Sequence, residues 1–369
     1  MIVRSLQLAD FRNYSTLQLD LGAGVHALIG DNAQGKTNLV EALVVLSTMK
    51  SFRGVPNEAV VGKGATRAIL RADISHDDAR EFLVEIEFKS TGRSVAQVNR
   101  KRVTRTRDLL GVLRTTVFMP DDRDLVQGGA VERRALLDDA VVALEPSRHD
   151  LVSELERVLR QRNALLKDAG YRATASVLSA LDAWDEKLAT VGDEVGLARA
   201  ELVAQMVPFV QSSYSALAGD ERTVNIAYEA PWRSGGLAAA LVAAREDDLR
   251  RGTTTVGPHR DDLVVRLDDL ASRTQGSHGE QHSLGIALRM AVHQVVTQRW
   301  GSPPVVVLDD VLSALDNKRA AAVFERLLAT LPYQQVLVTS AHPLPPSPRI
   351  THWLHVEAGT ITPVTQVQR

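Results

Sequence analysis

The chain has 369 residues, 44% of them hydrophobic and 24% charged, with a formal net charge of −2 at pH 7. That length carries a sizeable core in two domains, or in one head with a large insertion, and the near-neutral charge leaves any nucleic-acid contact to a local basic patch. Cysteine is absent, which excludes a disulfide framework and any thiolate metal site.

The opening stretch MIVRSLQLADFRNY lacks the apolar centre of a signal peptide, and no segment approaches ~20 unbroken apolar residues. The expectation is a cytoplasmic location and no membrane partner. Ile2, Leu6 and Leu8 alternate as in a strand, turn at Phe11-Arg12-Asn13-Tyr14, and the alternation resumes at Leu17, Leu19 and Leu21. Residues 25–29 form a short apolar run that ends at Gly30 and reads as a buried strand. The spacing of Leu39, Leu43 and Leu46 predicts a helix over 36–49. Strands are expected at 68–74 and 82–88, then a hairpin of 94–98 and 102–104 around Asn99-Arg100-Lys101, then a strand at 116–119 stopped by Pro120.

From Val131 the period becomes helical. Three stripes follow, and the last predicts a helix over about 173–210, roughly 55 Å long at ~1.5 Å per residue. Two long antiparallel helices with a turn near Gly170 make a helical arm. Strand character returns at 223–228, 263–267, 305–308 and 335–340, and residues 353–356 and 360–364 read as a terminal hairpin. The Ala-rich stretch 237–244 is a helix former.

Gly30-Asp31-Asn32-Ala33-Gln34-Gly35-Lys36-Thr37 fits G-x-x-x-x-G-K-[ST], with a strand before it and a helix after it. Glycines let backbone N–H groups approach phosphate, and the helix N-terminus adds partial positive charge. Lys36 reaches terminal phosphates, and the Thr37 hydroxyl suits Mg²⁺. Val305-Val306-Val307-Leu308-Asp309-Asp310 supplies the second half of such a site. Asp309 is the expected Mg²⁺ residue and Asp310 the expected general base beside an attacking water. The cofactors expected are therefore ATP and Mg²⁺.

The wide separation of the two motifs, filled by helices, points to an ABC-type head whose ATP site is shared between two subunits. Such a head needs a signature motif upstream of Asp309, and Ser277-His278-Gly279-Glu280-Gln281 stands there. Ser277 and Gly279, at a helix start, are expected to face the partner's γ-phosphate. Ser313-Ala314-Leu315-Asp316 resembles the short dimer-contact loop of such heads, or else caps a helix. His342 lies after the 335–340 strand, displaced from the place where a γ-phosphate histidine is usual. Arg93, Arg100, Lys101, Arg102, Arg105 and Arg107 form a basic run that either neutralises DNA phosphates or is a solvated face. At 4% aromatic residues, a stacking platform for single strands is not expected.

Six segments together resemble the RecF family of bacterial DNA replication and repair proteins. They are Leu8-Ala9-Asp10-Phe11-Arg12-Asn13-Tyr14, the phosphate loop through Asn38, Lys50-Ser51-Phe52-Arg53, Arg160-Gln161-Arg162-Asn163-Ala164-Leu165-Leu166-Lys167, Gly257-Pro258-His259-Arg260-Asp261-Asp262 and Leu308-Asp309-Asp310-Val311-Leu312-Ser313. The family signature commonly reads S-Q-G-Q-Q, from which His278 and Glu280 depart. The resemblance implies an α/β, ABC-type P-loop ATPase head with mixed β-sheets and an inserted helical arm domain. It implies a division into 1–120 (head, phosphate loop), 121–220 (arm) and 221–369 (head, signature and carboxylates). It implies ATP contacts from residues 30–38, Ser277, Gly279 and Gln281, with Thr37 and Asp309 on the metal. It also implies an ATP-dependent homodimer that binds duplex DNA and single-strand/double-strand junctions and hydrolyses ATP slowly. Its implied partners are RecO, RecR and the RecA recombinase. A transport ATPase subunit is the alternative; the arm and the 257–262 segment weigh against it. A condensin-type role needs a longer coiled coil than this chain holds.

Overall fold

The computed structural model describes residues 1–169, 174–313 and 317–364. The expected turn near Gly170, and the 314–316 part of the expected dimer-contact loop, lie outside the described residues. The chain opens with β1 (Ile2–Phe11), β2 (Tyr14–Asp20), β3 (Gly24–Ile29) and α1 (Lys36–Thr48). Next come β4 (Arg67–Ser75), β5 (Glu81–Lys89), β6 (Val95–Val98), β7 (Lys101–Arg102) and β8 (Thr115–Phe118). Helices α2 (Asp124–Gln127), α3 (Ala130–Leu144), α4 (Arg148–Ala169) and α5 (Ala175–Ala218) follow. After β9 (Val224–Glu229), α6 (Leu237–Arg251), β10 (Asp262–Leu267) and β11 (Leu270–Ala271) come α7 (Ser272–Gln275) and α8 (His278–Trp300). The chain closes with β12 (Val305–Asp309), α9 (Asn317–Thr330), β13 (Gln335–Ser340), β14 (Ile350–Glu357) and β15 (Thr360–Pro363).

The described chain divides into two compact units. The first comprises Met1–Arg123, Ser212–Asp220 and His282–Arg369; the second comprises Asp124–Gln211 and Glu221–Gln281. Residues 221–281, which the sequence reading groups with the C-terminal head, thus fall with α3, α4 and the part of α5 up to Gln211.

The first unit holds two six-stranded sheets. One is antiparallel, in the order β2-β1-β4-β5-β6-β7. Its strands β4 and β5 bury alternate residues, so one face is core and the other is solvated. The other sheet runs β15-β14-β3-β13-β12-β8, parallel except for β15. Every residue of β12 and β13 is buried, as a parallel sheet covered on both faces requires. Helix α1 touches strands of both sheets. Its burial is accordingly nearly all round, wider than the single stripe the leucine spacing predicts. Leu39, Leu43 and Leu46 pack in one core with Leu70, Ile86, Phe88, Val307 and Leu337.

The β6–β7 hairpin is tighter than the sequence suggests. Asn99 and Arg100 both take positive φ (51° and 63°), which makes a two-residue turn, and Lys101 already pairs with Val98. Asn tolerates the left-handed region better than most residues.

In the second unit, Leu155 and Val158 of α4, Leu188, Val191 and Val195 of α5, and Trp232, Leu237 and Leu241 form a core. Two glycines on α5 permit this approach. A Cβ at Gly192 would lie 2.3 Å from Leu237 Cδ2, and one at Gly196 would lie 2.6 Å from Trp232 Cη2. Helix α5 continues to Ala218, beyond the expected end at 210 and through Pro208, while Val210, Tyr214 and Leu217 stay buried. Strands β9, β10 and β11 make a small antiparallel sheet.

Candidate nucleotide site

The parallel sheet brings the carboxyl ends of β3, β13 and β12 to one edge, through the pairs Ser340–Ile29 and Asp309–Thr339. In open α/β sheets ligands bind at such an edge. Here the phosphate loop leaves β3 and enters α1. Gly30 (φ 151°) has no room for a side chain, since a Cβ would sit 2.2 Å from Val356 O. Gly35 (φ 116°) precedes α1, and a Cβ there would sit 2.6 Å from Asn13 Nδ2.

Two turns hold the loop. From the β1–β2 turn, Asn13 Nδ2 donates to Gln34 O at 3.0 Å and the Tyr14 hydroxyl to Gly35 O at 3.0 Å. Burial pushes the Tyr14 phenol well above its ordinary pKa. From the β14–β15 turn, Gly359 N–H donates to Gln34 O at 3.1 Å and Ala358 N–H to Gln34 Oε1 at 2.7 Å. Asn38 Nδ2 donates to Asn13 Oδ1 at 2.7 Å, and Arg53 to Asn38 Oδ1 at 3.0 Å.

Lys36 Nζ donates to Gly30 O at 2.8 Å and Asp31 O at 2.6 Å. Burial lowers its pKa, while Asp310, Asp31 and Asp309 oppose that shift. Thr37 Oγ1 donates to Asp309 Oδ1 at 2.9 Å, and Thr339 Oγ1 to the same oxygen at 2.7 Å. Asp309 is only 7% exposed, and burial raises its pKa against those two hydrogen bonds. Asp310 sits just beyond β12 with φ 51°, its N–H donating to Thr339 Oγ1 at 3.0 Å. Among the described residues no group of three His, Asp or Glu could hold a metal. A hydroxyl and a carboxylate at hydrogen-bond distance do suit Mg²⁺, which takes few protein oxygens and completes its shell with phosphate and water.

Glu41 is the participant that sequence reading misses. It lies on α1, fully buried, and Arg12 chelates it through Nε at 2.9 Å and through Nη2. Ser51 Oγ also donates to it, and Arg53 approaches at 3.6 Å. Two of the segments that carry the family resemblance, 8–14 and 50–53, therefore converge on one carboxylate. Its only signal in the sequence is an acid inside the apolar run Leu39–Leu46.

The signature belongs to the second unit. Ser277 and Gly279 are exposed. Gln281, expected among the ATP contacts, is buried, and its amide donates to Ser272 O and Arg273 O, both at 3.1 Å. It braces the turn ahead of α8. The exposed His342 forms a local turn with Ser340, its N–H donating to Ser340 Oγ at 3.2 Å. Arg100, Lys101, Arg102 and Arg105 are exposed at the β7 edge of the antiparallel sheet. Charge at such an edge also discourages strand pairing with another chain.

No helix among the described residues is long and apolar enough to cross a membrane. Comparison with known proteins places these features. The family described as RecF/RecN/SMC N terminal domain matches residues 2–344. The DNA replication and repair protein RecF of Streptomyces avermitilis is 41% identical over 354 residues, 92% of this chain and 94% of that one. A solved structure of the recombination mediator protein RecF with ATP, in the RecFOR pathway, superposes with a TM-score of 0.87 at 25% identity, covering 98% of this chain and 97% of that one. An Smc head domain from Pyrococcus furiosus shares the fold at a TM-score of 0.57 and 15% identity, covering 98% of this chain and 95% of that one. The chain belongs to the RecF/RecN/SMC N terminal domain family and, within it, to the RecF DNA replication and repair proteins, P-loop ATPases with an ABC-type head.

Proposed function

We propose that this chain binds Mg-ATP between two copies of itself, and that the ATP-bound dimer engages duplex DNA and single-strand/double-strand junctions. The observation that carries the reading is the Thr37–Asp309 hydrogen bond, which joins the phosphate loop to the end of β12. Thr37 and Asp309 would hold Mg²⁺, which supplies charge neutralisation at the phosphates. Lys36 and the backbone N–H groups of residues 30–38 would bind the phosphates. Asp310 would accept the proton of the attacking water. Ser277 and Gly279 would complete the site from the partner subunit, and hydrolysis would release the dimer. On DNA, the exposed Arg100, Lys101, Arg102 and Arg105 would contact backbone phosphates. The RecF structure solved with ATP carries the RecFOR pathway in its description, which supports RecO and RecR as partners in loading RecA at gaps.

Sedimentation of the full chain, with and without a non-hydrolysable ATP analogue and with and without gapped duplex, tests this. The expected result is a dimer with the analogue and DNA bound to that dimer. A chain that stays monomeric in all four conditions contradicts the shared site.

A further inference from the structure

Helix α8 opens on a reciprocal cap. Ser277 N–H donates to Glu280 Oε2 at 2.7 Å, and Glu280 N–H donates to Ser277 Oγ at 3.3 Å. The second bond uses a lone pair of the hydroxyl, and the Ser277 hydroxyl also bonds the Glu280 side chain, so the cap fixes the orientation of Ser277. Nothing lies within 4 Å of the place a Gly279 Cβ would take, so the backbone there is open to an approaching group.

A carboxylate in the first turn of α8 suits the helix dipole, but it opposes a phosphate docking at the same turn. Glu280 is paired with Arg222, the two side chains being 29% and 32% exposed. Arg222 is itself anchored, since its Nε donates to Asp268 Oδ2 at 2.6 Å and Asp268 Oδ1 accepts Thr223 N–H at 2.9 Å. The start of β9 and the β10–β11 turn thus hold one guanidinium against the cap. Glu280 is kept below the ordinary glutamate pKa, first by the Ser277 N–H, then by the Ser277 hydroxyl and by Arg222, against the opposing effect of burial, so it is charged at neutral pH.

We propose that Arg222 is a positioning residue for the ATPase reaction: it neutralises Glu280, so that Glu280 can cap and orient Ser277 without repelling the γ-phosphate that Ser277 and Gly279 receive. This rests on the reading of Ser277 and Gly279 as γ-phosphate donors across the dimer.

The test follows dimer formation of the full chain against the concentration of a non-hydrolysable ATP analogue with Mg²⁺. Arg222→Gln is expected to raise the half-saturating concentration roughly tenfold, the scale of one helix-terminal charge at each of two sites. The deficit is expected to shrink in high salt. Adding Glu280→Gln to Arg222→Gln is expected to restore most of the loss, because a glutamine still caps but carries no charge. Glu280→Gln alone is expected to dimerise at least as readily as the parent, which keeps the proposal testable if Arg222→Gln does not fold. An unaffected Arg222→Gln, an unrescued double variant, or a Glu280→Gln chain that no longer dimerises would each overturn it. Ser277→Arg is measured alongside. If that variant still dimerises with the analogue, the trans reading itself fails; if it does not while Arg222→Gln is normal, only the present inference fails.

Discussion

Asp309 Oδ1 accepts the Thr37 hydroxyl at 2.9 Å from a residue 272 positions away, and Thr339 donates to the same oxygen. Burial raises the folded pKa of Asp309, so the folded state holds this proton more tightly than the unfolded chain. The ionised side chain therefore subtracts stability above its folded pKa, and the deficit fades as pH falls through that value toward the unfolded one. Asp309→Asn keeps an acceptor for both hydroxyls and removes the charge. It is expected to stabilise the fold at neutral pH by roughly 0.5–2 kcal/mol, the usual gain when a functional compromise is relaxed, and to abolish Mg²⁺-dependent hydrolysis. Urea unfolding at pH 7.5 and in acid checks the sign; a variant less stable than the parent at pH 7.5 contradicts it.

Glu41 carries a different expectation. Glu41→Ala leaves the Arg12 guanidinium in a partly buried place without its carboxylate, a loss of roughly 3–5 kcal/mol for a broken buried pair. The β1–β2 turn that braces Gln34 and Gly35 begins at Arg12, so ATP affinity is expected to fall even where the variant is folded. Urea unfolding and fluorescent ATP titration measure the two effects; an unchanged unfolding midpoint rules out the bracing role.

These two carboxylates mark what the sequence discloses. Asp309 is legible because β12 is one continuous apolar run ended by acids, and the phosphate loop is legible because its chemistry demands fixed residues at fixed spacing. Glu41 is not, because its partners Arg12, Ser51 and Arg53 are brought to it only by the packing of α1 between strands of both sheets. The grouping of residues 221–281 is hidden for the same reason: their neighbours in the chain belong to one unit and the helices they share a core with to the other. The Ser277–Glu280 cap, by contrast, follows the S-x-x-E pattern and is local.

Replacing Arg100, Lys101 and Arg102 together by Ala removes three exposed cations from the β7 edge. If all three touch phosphate, DNA binding should weaken at low salt and the slope of log affinity against log salt should fall by up to about 3 × 0.9. Fluorescence anisotropy on a gapped duplex across a salt series reads this. An unchanged slope would make these residues a charged edge that only discourages strand pairing.

Ser277 is expected to act on nucleotide held by the partner subunit. The first unit already gathers Lys36, Thr37, Asp309 and Asp310 at one sheet edge. What that set lacks is a group of donors facing the γ-phosphate from the open side, and an exposed serine and glycine at the start of a 23-residue helix offer a hydroxyl, N–H groups and a dipole. A donor set supplied in trans makes dimerisation depend on the γ-phosphate, so ADP is expected not to support it. Ser277→Arg adds bulk to that face and removes an N-cap, a loss of about 1 kcal/mol that leaves most of the fold's stability in place. It should bind ATP as a monomer with near-normal affinity, yet neither dimerise nor hydrolyse. Lys36→Ala should fail earlier, at ATP binding. Mixed together, the two variants still offer one composite site built from their undamaged halves, so hydrolysis is expected to return although each is inactive alone. If the mixture stays inactive while both variants remain folded, a crosslink from position 277 of the Lys36→Ala chain to nucleotide held by a tagged Ser277→Arg partner decides the matter. A crosslink shows a trans contact whose two sites must act together, and its absence removes Ser277 from the ATP site.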